Sequence, residues 1–339
     1  MTTEEKQSAE NAPHYDIIVI GGGAAGLAGA LTLGRARRSV LVVDAGQPRN
    51  ASAEASHNYL TRDGVPPAEL LAAGRAEVAG YGGEFVAGEV VAAESVAGGG
   101  FRVVLGSGAT ARARRLLVTS GLVDELPDVP GLAGRWGRDV LHCPYCHGYE
   151  VRDRAIGVLS TGPMGVRQAL LWRQWSAEVR LFLHTGPEPT DEQYEQLAAR
   201  GIAVVDGEVS EVEITGWSGA GDDRISGVKL AGGTVVPCEA LVVAPRFDVC
   251  GKVIDSLGLE VAGKAAGDGS VLGRHVVAEP GGATRIPGVW VAGNVADPMA
   301  KVSGATAMGV HAATEINFDL VEEDTRRAVE VRRRGQEAA

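Results

Sequence analysis

Short runs of apolar residues, each ending in a glycine-containing turn and followed by a segment of helical periodicity, recur along the chain. The first run, residues 16–20, enters the turn Gly21-Gly22-Gly23-Ala24-Ala25-Gly26, which leads into a helix predicted over about 25–37. A second apolar run follows at 39–44. Because the strands of a parallel sheet are buried on both faces and joined by crossover helices, this stretch predicts one βαβ unit.

A second unit of the same kind begins near residue 155. Its strand, turn, helix and second strand are predicted at 155–159, 160–165, 166–176 and 178–184. The two units together predict an α/β protein with two Rossmann-like nucleotide-binding domains.

The segments between and after the two units contain the other predicted elements. They are a helix at 68–80, antiparallel strands over 84–120, a strand-rich stretch over 202–243 with a loop at 216–223, a strand at 289–292, a helix over about 304–318 and a charged tail, part helical and part disordered, at 322–339. A segment rich in proline and glycine at 127–134 is predicted to mark a domain boundary, so the first domain would be interrupted and later resumed.

Composition and charge narrow the class of protein. A chain of 339 residues with 45% hydrophobic and 22% charged residues is typical of a globular protein of about two domains, which excludes a fibrous or disordered chain. The 32 basic and 43 acidic residues give a net charge of −11, which disfavours nucleic acid as a partner. Residues 1–14 lack a signal-peptide pattern and no apolar run reaches about 18 residues, so we expect a cytoplasmic protein without a membrane span.

The first glycine-rich turn has the spacing of a dinucleotide-binding motif. In Gly21-x-Gly23-x-x-Gly26, the first glycine permits a tight turn, the second lets the backbone approach a pyrophosphate and the third lets the helix pack closely on the strand. The helix N-terminus favours a diphosphate, and Asp44 can accept hydrogen bonds from ribose hydroxyls. Strand, helix and acidic residue are in register, which favours nucleotide binding over an ordinary βα turn.

A second motif, Cys143-Pro144-Tyr145-Cys146-His147, places two thiols three residues apart. Such thiols can close a disulfide at a helix N-terminus, where the helix dipole lowers the pKa of one thiol, so a redox-active pair is the favoured interpretation. Three alternatives stay open. They are a covalent c-type haem, a zinc site that also uses His142 and His147, and two inert cysteines.

Histidines beside the pair are candidates for acid–base chemistry. His147 follows Cys146 directly and is predicted to be catalytic, whereas His142 is interpreted as a packed or exposed residue at a strand end. Cys238 and Cys250 are isolated in apolar surroundings and are predicted to be buried and inert.

A third motif, Gly288-Val289-Trp290-Val291-Ala292-Gly293-Asn294-Val295, ends a strand in a glycine and a short polar side chain at the mouth of a helix. It suits contact with the ribityl and phosphate part of a flavin, although an ordinary αβ turn has the same pattern.

Together these motifs resemble the low-molecular-weight thioredoxin reductase family of FAD-dependent disulfide oxidoreductases, over about residues 15–318. The strand end Thr119-Ser120-Gly121 and the position of the cysteines just before the second βαβ unit add to the resemblance. It implies two three-layer ββα nucleotide-binding domains, in which the FAD domain is split by an inserted pyridine-nucleotide-type domain that carries the cysteines. Members are commonly homodimers, so we expect a homodimer.

The resemblance also implies domain boundaries. They are a flexible N-terminus at 1–14, the first part of the FAD-binding domain at 15–121, the inserted NAD(P)H-type domain at 122–245, the second part of the FAD-binding domain at 246–320 and a charged tail at 321–339.

Roles for individual residues follow from the same resemblance. Cys146 would face the flavin ring and Cys143 would exchange with the partner, while His57 is interpreted as a loop residue, with an approach to the flavin as the alternative. The residues implied to hold FAD are Gly21, Gly23, Gly26, Asp44, Asn58, Thr119, Gly293 and Asn294.

The chain departs from the family pattern at four places. Ser160 replaces the first glycine of the second nucleotide motif, where we expect its side chain to crowd a pyrophosphate. His184-Thr185-Gly186 replaces the His-Arg-Arg whose arginines hold the 2′-phosphate of NADPH. Two lost charge-assisted contacts of about 1.5–3 kcal/mol each predict NADPH binding that is weaker by roughly 10²- to 10⁴-fold. Asn294 and His147 each stand where the family usually has aspartate.

The stretch Cys-x-x-Cys-His-Gly-Tyr-Glu resembles a branch of dithiol oxidases that close disulfides in small sulfur-containing natural products, with oxygen as the acceptor from the flavin. The expected function is therefore oxidation of a small-molecule dithiol through Cys143, Cys146 and FAD, without metal, nucleic acid or membrane as partner. One alternative is a thioredoxin reductase that passes electrons from NADPH through FAD to a thioredoxin-like protein. A flavin-binding protein without turnover is the other, and the intact cysteine motif disfavours it.

Overall fold

The computed structural model describes residues 12–216, 223–249, 251–265 and 269–337. Its strands are β1 (His14–Ile20), β2 (Val40–Asp44), β3 (Glu84–Ala87), β4 (Val90–Ser95), β5 (Phe101–Leu105), β6 (Thr110–Val118), β7 (Leu122–Glu125), β8 (Val140–Leu141), β9 (Ile156–Leu159), β10 (Val179–Phe182), β11 (Ala203–Val205), β12 (Val209–Thr215), β13 (Arg224–Leu230), β14 (Val235–Pro237), β15 (Ala240–Val243), β16 (Arg246–Val249), β17 (Val261–Ala265), β18 (Val271–Val276) and β19 (Val289–Val291). Its helices are α1 (Ala24–Arg35), α2 (Pro67–Gly80), α3 (Pro144–His147), α4 (Gly165–Trp172), α5 (Asp191–Ala199), α6 (Lys252–Leu257) and α7 (Val302–Glu337). The predicted α/β class with two Rossmann-like units is confirmed.

The first unit is built on a sheet in the order β3-β2-β1-β6-β5-β4, with β19 beside the end of β6. Strands β3, β2, β1, β6 and β19 run parallel, whereas β4, β5 and β6 are antiparallel. The chain therefore returns to this sheet with β19 after passing through the second unit.

Burial on both faces of the central strands explains their uninterrupted apolar sequences. Along β1, Ile18 and Ile20 point into one core, whereas Ile17 and Val19 point into the other, on the side of helices α1 and α7. Successive side chains of a strand alternate between faces, so a strand covered on both sides needs an apolar residue at every position.

The second unit has a parallel sheet in the order β11-β10-β9-β15-β8 and a separate antiparallel sheet, β12-β13-β14. A further sheet, β17-β18-β16-β7, joins Leu122–Glu125 to Arg246–Val249 as an antiparallel pair. These two strands flank the second unit in the chain, so both connections between the units run side by side.

Two sequence predictions are corrected by the fold. Residues 84–87 were expected to begin an antiparallel series, but β3 lies parallel to β2, since it follows helix α2 in a second crossover. The last helix was expected to end near residue 318, but α7 continues to Glu337. The loop predicted at 216–223 lies mostly outside the described residues.

Ion pairs explain why α7 extends through the charged tail. Arg114 of β6 lies 2.6 Å from Asp324 and 3.3 Å from Glu323, and Arg38 lies 2.9 Å from Asp324. Further pairs within the helix have the i, i+4 spacing that supports an exposed helix, namely Glu322–Arg326, Glu323–Arg327 and Glu330–Arg334.

Helix α7 packs against α1 at backbone distance because glycines face each other. A Cβ atom at Gly309 would lie 2.1 Å from the carbonyl oxygen of Ala25, and one at Gly29 would lie 3.3 Å from the carbonyl oxygen of Gly309 and 2.6 Å from the Leu117 side chain. Neither position has room for a side chain.

Among the helices of the described residues, none combines the length and hydrophobicity needed to cross a membrane.

We expect Gly309→Ala to lower the free energy of unfolding by about 1–3 kcal/mol, because the added methyl group forces α1 and α7 apart. Urea unfolding followed by circular dichroism measures this change. Gly335→Ala is the matched control, since a Cβ at this position of the same helix meets no atom within 4 Å. It should leave stability unchanged or raise it by up to about 1 kcal/mol, and equal losses in both variants would contradict the packing argument.

Candidate active site

The first glycine turn is held shut by backbone contacts that only glycine allows. Gly21 has a φ of +106°, and a Cβ there would lie 2.4 Å from the carbonyl oxygen of Thr119. A Cβ at Gly26 would lie 1.9 Å from the carbonyl oxygen of Gly21. The Thr119 hydroxyl lies 2.8 Å from that same oxygen and 3.0 Å from the carbonyl of Ile20, so it ties β6 to the turn.

Open space lies above Gly23, the residue that precedes α1. A Cβ at Gly23 would meet no atom within 4 Å, and the helix N-terminus is directed at this space. Backbone N–H groups at a helix N-terminus bind phosphate, so the turn fits the pyrophosphate of a dinucleotide. Asp44 lies beside it, where one carboxylate oxygen accepts a 3.0 Å hydrogen bond from the Gly22 N–H and the other pairs with Arg75.

Gly293 and Asn294 form a short turn against the same helix. Gly293 has a φ of +78°, and a Cβ there would lie 2.8 Å from the Ala25 methyl group. The Asn294 side-chain nitrogen lies near three backbone carbonyls, those of Asp297 (3.2 Å), Pro298 (3.3 Å) and Ala300 (2.8 Å). An aspartate has no proton to donate to these carbonyls, which gives a physical reason for asparagine here.

The two cysteines of the second motif are joined in a disulfide. Cys143 precedes the single turn of α3, and its carbonyl oxygen accepts hydrogen bonds of 3.1 Å from the N–H groups of Cys146 and His147. This turn brings the Cα atoms of the pair to 5.3 Å, so the backbone holds the thiols in bonding range. Among the described side chains, no group of three or more His, Cys, Asp or Glu residues is arranged to hold a metal ion.

The redox turn, residues 143–147, is contacted from both sides. Tyr145 packs edge-on against Trp175 at a centroid distance of 5.6 Å, and the Lys301 ammonium lies 4.2 Å from the Tyr145 ring. The Asn58 side-chain amide donates a hydrogen bond to the Tyr145 carbonyl. Asn58, predicted to lie at the cofactor, therefore has its amide directed at the redox turn.

His147 has two ring nitrogens that are both buried and without a hydrogen-bonding partner in the described part of the chain. Burial lowers the pKa of His147; Glu150 opposes this shift and His57 adds to it. The imidazole is therefore neutral near pH 7 and can accept a proton. His57 itself lies in the loop before α2, between two carboxylates, 3.3 Å from Asp63 and 3.4 Å from Glu150.

The remaining histidine and cysteine of the sequence analysis are structural. His142 has Nδ1 3.1 Å from the carbonyl oxygen of Val243 and packs edge-on against Phe247, and burial lowers its pKa. Cys238 is buried, which raises the pKa of its thiol to about 12. Cys250 lies outside the described residues.

A cleft of about 620 Å³ lies at the carboxyl ends of the strands of the second unit. Three carboxylates line it, those of Glu125, Asp128 and Glu208, and the guanidinium of its one arginine, Arg246, is 3.7 Å from Glu125. His184 also lines the cleft, but its Nδ1 accepts a 3.1 Å hydrogen bond from the Val209 N–H, which requires that nitrogen to be unprotonated. Burial lowers the pKa of His184, so it adds no positive charge near pH 7.

Ser160 does not crowd this cleft, which corrects the sequence expectation. Its side chain is buried, and its hydroxyl oxygen lies 2.2 Å and 2.0 Å from where Cβ atoms of Gly165 and Gly186 would stand. The serine is accommodated because these two neighbours have no side chain. Arg180 of β10 donates to the carbonyl of Pro237 and is absent from the cleft lining.

Sequence reasoning did not assign roles to three residues at the site. Arg75 pairs with Asp44, Glu150 pairs with His57 and Lys301 covers Tyr145. Each contact joins positions that are distant in the chain. The G-x-G-x-x-G and C-x-x-C motifs are local, so spacing could reveal them, but no spacing rule reveals these pairs.

Comparison with known proteins gives concordant matches. The profile of the pyridine nucleotide-disulphide oxidoreductase family matches residues 15–309. The thioredoxin reductase sirT of Leptosphaeria maculans is 30% identical over 323 residues, which cover 91% of this chain and 95% of that protein. Among solved structures, HlmI is 44% identical with a TM-score of 0.84 over 95% of this chain and 96% of that one. An oxidoreductase from Agrobacterium tumefaciens is 35% identical with a TM-score of 0.81, over 91% and 99%.

The matches extend over both nucleotide-binding units and include the cysteine pair between them. The glycine turn of the first unit, with open space at its helix N-terminus, fits the FAD that this family uses. The chain therefore belongs to the pyridine nucleotide-disulphide oxidoreductase family, as a thioredoxin reductase-like, FAD-dependent disulfide oxidoreductase.

Proposed function

We propose that the protein oxidises a small-molecule dithiol to a disulfide through Cys143 and Cys146, and that oxygen is the final electron acceptor. The proposal rests on the charge of the cleft in the second unit. The carboxylates that line this cleft outnumber its cations. NADPH carries a pyrophosphate and a 2′-phosphate, which are negatively charged, so this lining disfavours its binding. The redox turn meanwhile has its disulfide formed and a neutral histidine beside it.

Oxidation of the substrate takes two thiol–disulfide exchanges. One substrate thiolate attacks the Cys143 sulfur, which forms a mixed disulfide and releases the Cys146 thiolate. The second substrate thiolate attacks the substrate sulfur of that mixed disulfide, which closes the product disulfide and releases the Cys143 thiolate. Two electrons thereby move from the substrate to the cysteine pair, and the substrate loses two protons.

His147 is the group we assign to proton transfer in these exchanges. Its ring nitrogens have no partner among the described residues, so nothing in that part of the protein competes for the proton. Because its pKa is lowered, it would accept a proton from a thiol near pH 7 and return it later in the cycle.

The residues proposed to hold FAD are Gly21, Gly23, Gly26, Asp44, Thr119, Gly293 and Asn294, with Asn58 acting from the side of the redox turn. Bound there, FAD would supply a two-electron acceptor for the reduced cysteine pair and a donor to oxygen. The protein's own contribution is to close the turn around the pyrophosphate and to fix the Asn294 side chain through its hydrogen bond to the Ala300 carbonyl.

A thioredoxin reductase is the second candidate, because the cleft of the second unit is present at the strand ends where a nucleotide binds in this fold. Relatives such as the protein of Leptosphaeria maculans are named thioredoxin reductases. In that case NADPH would donate the electrons and a thioredoxin-like protein would accept them. The cytoplasmic location expected from the sequence stays a prediction for either function.

We also propose that the chain forms a homodimer through α7. Every described side chain from Asp324 to Gln336 is exposed, and Val321, Phe318 and Val329 add exposed apolar surface near one side of the helix. Acidic residues 322–324 precede basic residues 332–334, so an antiparallel second copy places opposite charges together.

Anaerobic dithiothreitol should bleach the flavin absorbance rapidly, whereas stoichiometric NADPH should bleach it slowly or not at all, because the acidic cleft repels the phosphates. Stopped-flow absorbance measures both rates. Admission of air after dithiothreitol should restore the yellow colour and yield peroxide. Rapid bleaching by NADPH, followed by reduction of a thioredoxin, would instead support the second candidate.

The two cysteines should have different roles. Cys143→Ser leaves Cys146 as the thiolate beside the flavin, so a long-wavelength charge-transfer band should appear in the absorbance spectrum. Cys146→Ser leaves Cys143 able to trap a substrate as a mixed disulfide, detected by mass spectrometry, while turnover falls at least about 10³-fold. Equal, partial activity in both variants would contradict the assignment.

Val321→Glu should convert a dimer to a monomer in sedimentation velocity, because it places a charge in the apolar surface of α7. Val331→Glu is the matched control: residue 331 is the same type, is 70% exposed and lies off that side of the helix. A monomeric unmodified protein, or a dimer that survives Val321→Glu, would contradict the α7 interface.

A further inference from the structure

A polar cluster connects the segment before α2 to the redox turn. His57 Nε2 lies 3.4 Å from Glu150 Oε1, and His57 Nδ1 lies 3.3 Å from Asp63 Oδ2. The Asp63 carboxylate also accepts a 2.8 Å hydrogen bond from the Asn58 N–H. These bonds hold the pKa of Asp63 below its usual value, so the carboxylate stays charged beside His57.

Two consecutive residues of this segment contact the chain on both sides of Cys146. The Asn58 amide donates to the carbonyl of Tyr145, the residue before Cys146, and His57 pairs with Glu150, four residues after it. Residues 56–65 lie between β2 and α2 of the first unit, whereas the redox turn precedes the strand β9 of the second unit. The cysteine is therefore bracketed by contacts that originate in the other unit.

We propose that His57 and Glu150 form a clamp that positions Cys146 for electron transfer to the flavin. The inference rests on the proposed function, since it requires the cysteine pair to deliver electrons to FAD. His57 is a positioning residue in this proposal, because the contacts assigned to it are those to Glu150 and Asp63.

In this proposal the clamp fixes the position of Cys146 and contributes little to the free energy of folding. The Asp63 side chain is 67% exposed and that of Glu150 is 43% exposed, and ion pairs of this kind add little to the free energy of folding. The rate of reaction between a thiolate and a cofactor depends much more strongly on geometry than the free energy of folding does. A displacement of about 1 Å lowers that rate about 100-fold. We therefore expect a rate effect of about 10- to 100-fold with an unchanged melting temperature.

Both ring nitrogens of His57 face carboxylates, Nε2 that of Glu150 and Nδ1 that of Asp63. A protonated imidazole donates to both carboxylates, whereas a neutral imidazole has one N–H and must release one of them.

The test compares the rate of flavin reduction by anaerobic dithiothreitol in the full-length holoenzyme and in His57→Gln, Glu150→Gln and the double variant. Measured at one fixed pH, each single variant should be about 10- to 100-fold slower than the unmodified protein. His311→Gln is the matched control, since His311 lies 4.0 Å from Glu315 on α7, away from the redox turn.

The double variant and a second reaction separate positioning from general damage. Because both side chains form one contact, the double variant should be no slower than the slower single variant. In a Cys146→Ser background, the reaction of Cys143 with an aromatic disulfide reagent should have the same rate with and without His57→Gln. Independent, multiplicative losses in the double variant, or slower reaction of Cys143, would overturn the clamp.

Failure of the clamp can be distinguished from failure of the proposed function. If dithiothreitol reduces the unmodified protein and reduces His57→Gln at the same rate, the clamp alone is overturned. If dithiothreitol does not reduce the unmodified protein at all, the proposed function fails and the clamp fails with it.

Discussion

The close approach of α1 to its neighbours is the constraint on which the rest of the structure depends. Gly26 lets the helix pack directly on the backbone of Gly21, and Gly309 lets α7 pack directly on the backbone of α1. Because α1 cannot shift, its N-terminus stays at the end of β1, where the open space above Gly23 lies. The same helix receives the Gly293 turn, so residues from opposite ends of the chain meet at one site.

The second unit has the architecture of a nucleotide-binding domain, but carboxylates outnumber cations in the lining of its cleft. Its parallel sheet and its cleft are those expected of the family, since buried apolar strands specify them. The charge of the cleft depends on a few surface positions instead. Glu208 and Asp128 line it, and the hydrogen bond from Val209 keeps His184 neutral. A fold can therefore be retained by its core while its affinity for phosphate is changed by its surface.

Much of the fold could be predicted because it follows from local patterns. The apolar run of β1 and the glycine turn after it identify the first unit, since the strand is buried from Ile17 to Ile20. The pairing of β3 could not be predicted, because its direction depends on the crossover through α2. The length of α7 was also missed, since Arg114, some 210 residues away in the chain, holds its charged part. The candidate site was likewise predictable only in its local parts. The two motifs could be identified from residue spacing, whereas the pairing of His57 with Glu150 joins distant residues and required the structure.

The burial of Cys238 has a consequence for how such an enzyme survives its own chemistry. Burial raises the pKa of the Cys238 thiol to about 12, so the side chain stays protonated near pH 7. Peroxides and foreign disulfides react with the thiolate form, so this side chain is protected both by exclusion and by its protonation state. Among the described cysteines, oxidation is thereby directed to Cys143 and Cys146, whose disulfide can be reduced and formed again.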